Sequence, residues 1–344
     1  LHGMTAPEHA ETAAALLCEA WGAPQFTREV QEHAAGRLRL LLDQQPTNMP
    51  GLADIVVRNA LFAQQPYGMN WHGTPTSLAR LTWRDAQQVW QQFCVPSAST
   101  LLISGDFDDA RMEAAVRAAT RRWRPPLKSE FFLGRLKRFN FHSDAPAMTV
   151  TLPPEAPRTA AVTRVYASLN PLTLIVCGLS APGLISTSYP PFVAELARGG
   201  LAHNLDQLRT TWRDPDQMPI VQQHQAVAWS GYDTGWLYVW ITVPPQYTAD
   251  AVRRLQTLLH ATLREMGAGP LLPAARARAT FDHQLAINTP ALMLDHVMRN
   301  HLFGYDRRLP LSAPRYFNAS TPENMSSLYE EYARHPVTII ITPE

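Results

Sequence analysis

The feature that most constrains this chain is that it repeats itself. The run Val56-Val57-Arg58-Asn59-Ala60-Leu61-Phe62 returns as Val297-Met298-Arg299-Asn300-His301-Leu302-Phe303, so Arg58 answers Arg299, 241 residues later. Thr82, Trp90 and Phe93 answer Thr321, Tyr329 and Tyr332, each 239 residues later. Both segments then run into short apolar or β-branched stretches, Leu101-Leu102-Ile103-Ser104 and Ile339-Ile340-Ile341-Thr342. Upstream, Thr5 to Trp21 carries apolar residues at Ala14, Leu17 and Trp21, and Tyr247 to Leu263 carries them at Leu255, Leu258 and Leu259. Both spacings suit helices with one apolar stripe. An ordered series of matches at nearly the same offset is the mark of duplication. Two unrelated α/β domains would need every match to be coincidence.

Each copy therefore reads as a strand, a long helix, two further helices and a final strand. The second copy adds strands ahead of its long helix, at Ala161 to Tyr166, Leu172 to Cys177 and Trp236 to Val243, rich in aromatic and β-branched residues. The first copy lacks that front portion, and the chain opens at Leu1-His2-Gly3 with no initiator methionine or signal-peptide pattern. We therefore expect a piece of a longer polypeptide. Arg124-Pro125-Pro126 and Pro153-Pro154-Glu155-Ala156-Pro157 read as connections. The expected architecture is α+β: a truncated first domain over 1–135 and a homologous second domain over 150–344, each a mostly antiparallel sheet with helices on one face.

With 344 residues the chain exceeds one comfortable core. Thirty basic and 29 acidic side chains leave a net charge of +1 without a basic block, which argues against nucleic acid or an anionic membrane surface as partner. The most apolar run, Pro171 to Ile185, is interrupted by prolines and glycines and is too short to span a bilayer. Cys18, Cys94 and Cys177 are too few and too scattered for a disulfide framework or a metal knuckle. They read as structural thiols, and the cytoplasm is the favoured compartment, with the periplasm left open.

Several segments, in order, carry a family resemblance: Gln65-Pro66-Tyr67-Gly68, Gly73-Thr74-Pro75-Thr76-Ser77-Leu78, Leu81-Thr82-Trp83-Arg84-Asp85, Phe93-Cys94-Val95-Pro96-Ser97 and Leu102-Ile103-Ser104-Gly105-Asp106-Phe107-Asp108. Together they resemble the insulinase, pitrilysin and mitochondrial processing peptidases. The second copy, from Gly199-Gly200 through Leu208-Arg209 and Tyr232-Asp233-Thr234-Gly235 to Thr342, is similar to the second domain of the same modules. Without the family, Gly68 and Gly73 read as turn glycines bracketing a bend. Thr82 and Thr321 read as helix openers with Asp85 and Asn324 inside the first turn. Gly105-Asp106 reads as a turn between elements rather than a catalytic loop.

Peptidases of that family hold zinc with an inverted H-x-x-E-H helix and a later glutamate. No H-x-x-E-H occurs at any of the twelve histidines. The nearest strings are Glu29-Val30-Gln31-Glu32-His33, which reads as a solvated helix face, and His203-Asn204-Leu205-Asp206-Gln207, whose imidazole and amide make no zinc site. The resemblance places the later glutamate in the stretch Ala35 to Asp43, where leucines stand, and no glutamate occurs between Glu32 and Glu113. Neither a G-x-S-x-G elbow nor a phosphate-binding loop is present. Ser180, Ser186 and Ser188 have no His-Asp pair at readable spacing, and Glu8-His9-Glu11 and Asp282-His283 read as helix-surface groups.

The expectation is therefore a non-catalytic half of a zinc endopeptidase, inactive alone, with no catalytic residue, metal ligand or cofactor of its own. The resemblance implies zinc in a catalytic half that is this chain's partner, and a peptide substrate enclosed between the two. Precursor-peptide processing in the biosynthesis of the cofactor PQQ is one expectation for the substrate. The alternative is a separate inactive scaffold subunit of a heterodimeric processing peptidase. The resemblance also implies a substrate-touching arginine, which falls on Arg209 after Leu208, although Trp212-Arg213-Asp214-Pro215-Asp216 stands where the family has a Gly-Tyr pair. Trp236, Tyr238 and Trp240 alternate on one strand, and burial against helices is expected over a peptide platform.

Overall fold

A computed structural model describes residues 2–62, 65–94, 99–121, 123, 163–168, 170–183, 192–231, 234–302, 309–333 and 336–343. The proline-rich stretch 153–157, Ser186, Ser188, Tyr232 and Asp233 lie outside the described residues. The rest forms two compact units, each discontinuous in sequence. One comprises 1–42, 73–151 and 288–307, the other 43–72, 152–287 and 308–344. The repeated helices fall in opposite units: α3 (Met49–Phe62), from the first copy, joins the second unit, and α10 (Pro290–Leu302), from the second copy, joins the first.

The first unit is helical among its described residues. It contains α1 (Ala10–Gly22), most of α2 (Arg28–Gln44), α4 (Pro75–Arg80), α5 (Trp83–Phe93), α6 (Asp109–Thr120) and α10. Indole donors tie it together: Trp90 Nε1 donates to the Trp21 carbonyl at 2.9 Å, Trp21 Nε1 to Ser99 Oγ at 2.8 Å and Trp123 Nε1 to the Cys18 carbonyl at 3.2 Å. Phe26 packs edge-on against Trp83 and Trp90, with ring centroids 5.2 and 5.5 Å away. Thr82 caps α5 by accepting from the Asp85 amide, and the Asp85 carboxylate accepts from the Thr82 amide. The stretch Leu101–Ser104, expected as a strand, is irregular. A strand is held by hydrogen bonds to a neighbour, and the described residues of this unit contain no strand for it to join.

The second unit is a five-stranded sheet in the order β1-β5-β2-β4-β3. Its strands are β1 (Thr163–Ser168), β2 (Thr173–Pro182), β3 (Gln223–Ser230), β4 (Thr234–Val243) and β5 (Val337–Pro343). The pairings β2–β4, β2–β5 and β3–β4 are antiparallel, and β1–β5 is parallel. β2 and β4 are apolar at almost every position and buried along nearly their whole length. A strand that is apolar on both sides needs cover on both faces, so the expectation of helices on one face alone does not hold. Leu174, Val176, Trp236, Tyr238, Trp240, Ile339 and Ile341 share a core with Met49, Ala53, Val57 and Phe62 of α3. The alternate residues Ile175, Cys177, Leu237 and Val239 are fully buried on the opposite face. There α7 (Val193–Thr211) and α8 (Thr248–Ala268) approach the sheet. On this side Gln256 donates to Thr338 Oγ1 at 2.9 Å.

Three more helices complete the second unit: α9 (Leu272–Ile287), α11 (Leu309–Ala319) and α12 (Pro322–Tyr332). α7 and α9 cross at Gly199, where an added Cβ would stand 2.6 Å from the Ala275 carbonyl oxygen and 3.0 Å from the Ala279 nitrogen. Thr321 and Asn324 repeat at α12 the reciprocal cap of Thr82 and Asp85. Of the two expected turn glycines, Gly73 has φ +73° and Gly68 sits in a short 3-10 turn at negative φ.

Candidate functional site

The strand expected to carry three aromatic residues on one face does so, and that face is interior. Trp236, Tyr238 and Trp240 are each at most 3% exposed. Trp236 stacks on Trp229 at 4.1 Å, and Phe62 meets it edge-on at 5.9 Å. Beneath them lies Arg58, itself buried on α3. Its Nε donates to Asp54 Oδ2 at 2.7 Å, and its Nη1 donates to the carbonyls of Tyr67 at 2.9 Å and Met69 at 2.8 Å. The guanidinium also lies 4.7 Å from the exposed Trp71 ring. Burial, and then the neighbouring Asp54 charge, push the Tyr238 hydroxyl well above its usual range. Arg58 therefore pins the Pro66-Tyr67-Gly68 turn to the helix. The repeated arginine has a structural task here, donating to two backbone carbonyls of the turn.

The histidine strings do not converge on a metal site. Gln207 Nε2 donates to His203 Nε2 at 3.0 Å. Asp206 of the second string turns to other partners. Its Oδ1 accepts from His224 Nε2 at 2.8 Å, and its Oδ2 accepts from Arg278 Nη1 at 2.6 Å. Burial alone would raise the Asp206 pKa, but these two hydrogen bonds and the Arg278 charge outweigh it and hold the carboxyl below its usual range. Arg278 continues to Asp282, and Asp282 to Arg198 at 2.9 Å, so the carboxylates are spent on a chain of ion pairs across α7 and α9. Asp282 of the Asp282-His283 pair belongs to that chain, while His283 is buried against Phe192 and Phe317. Glu29 and His33 are exposed on α2, and Arg28 there pairs with Glu32. Among the described residues no group of three or more His, Cys, Asp or Glu side chains is placed to hold a metal ion.

Arg209 does lie at a cleft. It stands in the last turn of α7 and is exposed. The cleft, about 610 Å³, is lined by Arg209, Asn48 and Met49 from the start of α3, Gln223 and His224 from β3, Leu172 and the Trp240 ring. Its size is that of an ordinary small-molecule or short-peptide site. Sequence reading singled out Arg209 and Trp240 and none of the other residues named here. Gln223-His224-Gln225 is too polar to announce a strand, and only the β3–β4 register sets Gln223 opposite Thr242 and Gln225 opposite Trp240. Asn48 arrives from more than a hundred residues away in sequence because α3 packs on this sheet.

With the geometry in place, the fold itself can be compared. The chain has an α+β fold in which helices wrap a small, mostly antiparallel sheet, as in insulinase-type modules. It is similar in fold to a protease from Helicobacter pylori, with a TM-score of 0.73 and 12% identity over 98% of this chain and 78% of that one. It is similar also to a peptidase M16 inactive domain from Pseudomonas fluorescens, with a TM-score of 0.71 and 13% identity over 99% of this chain and 77% of that one. The periplasmic protease PqqL from Escherichia coli aligns with a TM-score of 0.61 and 13% identity, over 99% of this chain but 36% of the longer protein. No protein-family model matches the sequence, and neither does any curated protein. Among the described residues no helix is long and apolar enough to cross a membrane.

Proposed function

We propose that this chain is a metal-free module of an M16-type zinc peptidase, which helps enclose and bind a peptide that a catalytic module cuts. One observation carries the reading. In a fold shared with peptidases, the α2 stretch Ala35–Asp43 offers leucines where a glutamate ligand is required, and Asp206 is committed to His224 and Arg278. A helix without that carboxylate cannot complete a three-ligand zinc centre. What the module retains is a cleft with Arg209 at its rim, whose guanidinium can donate two parallel hydrogen bonds to a peptide carbonyl or carboxylate. The zinc belongs to the catalytic partner. The PQQ precursor peptide is one candidate substrate to include in any trial.

The test begins with the isolated chain: zinc content by elemental analysis, and cleavage of a mixed peptide library. Stoichiometric zinc together with turnover would refute the proposal. Reassembly with the catalytic module should restore cleavage, and Arg209→Ala in the assembly should raise KM or lower kcat. Unchanged kinetics would remove Arg209 from the substrate site. The intact mass of the gene product separates a C-terminal half from an independent subunit. A product near the 38.4 kDa of this chain favours the subunit.

A further inference from the structure

We infer that the helices of the first unit cover a β-sheet whose strands lie ahead of Leu1 in the same gene product, with Leu101–Ser104 as one strand within it. The inference goes beyond the peptide-binding reading and does not depend on it. It starts from a shortage of core. Among the described residues of this unit, Ala14, Cys18, Leu42 and Met112 are the buried apolar side chains. Leu16, Leu40, Leu81, Val89, Leu292 and Leu302, on and between its helices, are each at least 46% exposed. A single exposed leucine is ordinary, but helices draw most of their stability from burying an apolar stripe against a neighbour. What ties these helices together instead is the set of indole bonds from Trp21, Trp90 and Trp123.

The repeat says what the missing cover is. Ile339–Thr342, which answers Leu101–Ser104, lies in β5, with β1 paired on one side and β2 on the other. Ile339 and Ile341 are buried there, whereas Leu101 is exposed. The helices show the same contrast. Ala53 and Val57 of α3 are fully buried in a core shared with β2 and β4. Their counterparts on α10, at the offset that relates Arg58 to Arg299, are Leu294 and Met298, and both are only half-buried. Strands that met this stripe would carry apolar residues at alternate positions on the face turned to the helices. Chain order then gives their source. β1 to β4 begin between Thr163 and Thr234, so at an offset of 239 to 241 their counterparts fall ahead of residue 1. A second copy of this chain offers only the edges of β1 and β3, since its other strands are paired on both sides.

The experiment is hydrogen exchange, read by mass spectrometry, on the chain 1–344 and on the intact gene product. The Leu101–Ser104 amides should exchange freely in the first and roughly a hundredfold or more slowly in the second, as amides within a folded sheet do. Bis-ANS, a dye that brightens on exposed apolar surface, should brighten with the chain 1–344 and much less with the intact product. Ile103→Pro removes one strand amide. It should leave the circular dichroism of the chain 1–344 unchanged and lower the urea midpoint of the intact product. A gene product that begins at Leu1 overturns the inference, and so do Leu101–Ser104 amides already protected in the chain 1–344. Exchange that stays free in the intact product overturns it as well. Protection that appears only when a separate subunit is added overturns it in favour of strands from that subunit. None of these results bears on zinc content or cleavage, so the peptidase reading stands or falls by its own test.

Discussion

Replacing Arg58 should expose how much of the second unit depends on one buried cation. The side chain is 3% exposed and makes three hydrogen bonds, to Asp54 and to the carbonyls of Tyr67 and Met69. Hydrogen bonds involving a charged group are worth about 1.5–3 kcal/mol each, and removing one partner of a buried pair costs about 3–5 kcal/mol. Asp54 is 33% exposed, so water can reclaim part of its solvation once the guanidinium is gone. Arg58→Ala should therefore destabilise by about 3 kcal/mol, near the lower end of that range. Arg58→Lys keeps the charge but not the fork, and should lose about half as much. Urea unfolding followed by tryptophan fluorescence would read the change as a shift in midpoint. Hydrogen exchange should rise at the Tyr67–Met69 backbone, locating the effect. The control is Arg28→Ala, whose ion pair with Glu32 is 89% and 67% exposed and should be worth less than about 1 kcal/mol. An Arg58→Ala loss no larger than that of the control would refute the idea that the arginine pins the turn.

Four further expectations follow from particular positions. Gly199→Val should lower thermal stability by about 1–3 kcal/mol, because its side chain would press on the Ala275 carbonyl and the Ala279 backbone, and a melting point equal to wild type would contradict the crossing. Gly36→Ala, in α2 with open space around it, should instead stabilise by about 0.5–1 kcal/mol in the same assay. Burial pushes the Cys177 thiol up to about 12, so it should resist iodoacetamide at pH 8 in the folded protein and react once unfolded, which peptide mapping would show. The Asp206 carboxyl is held below its unfolded value, so its contribution to stability is present above about pH 4 and is lost as the pH falls through the folded pKa. Asp206→Asn should flatten that acid limb, and an unchanged pH profile of stability would count against the His224–Asp206–Arg278 chain.

What the sequence determined by itself was whatever depends on local chemistry and on periodicity. The Thr82 and Thr321 caps, the long helices and the buried alternation of Trp236, Tyr238 and Trp240 are all decided within a few residues, so a pattern along the chain suffices to find them. Tertiary structure alone decided the rest. Leu101–Ser104 has strand composition and, among the described residues of its unit, no strand to pair with, because hydrogen bonding to a neighbour, not propensity, makes a strand. The helix Met49–Phe62 packs on the sheet of its unit, where two strands apolar on both faces needed a second cover. That packing carried Asn48 and Met49 to Arg209, His224 and Trp240, and so made the cleft from residues that no spacing in the sequence connects.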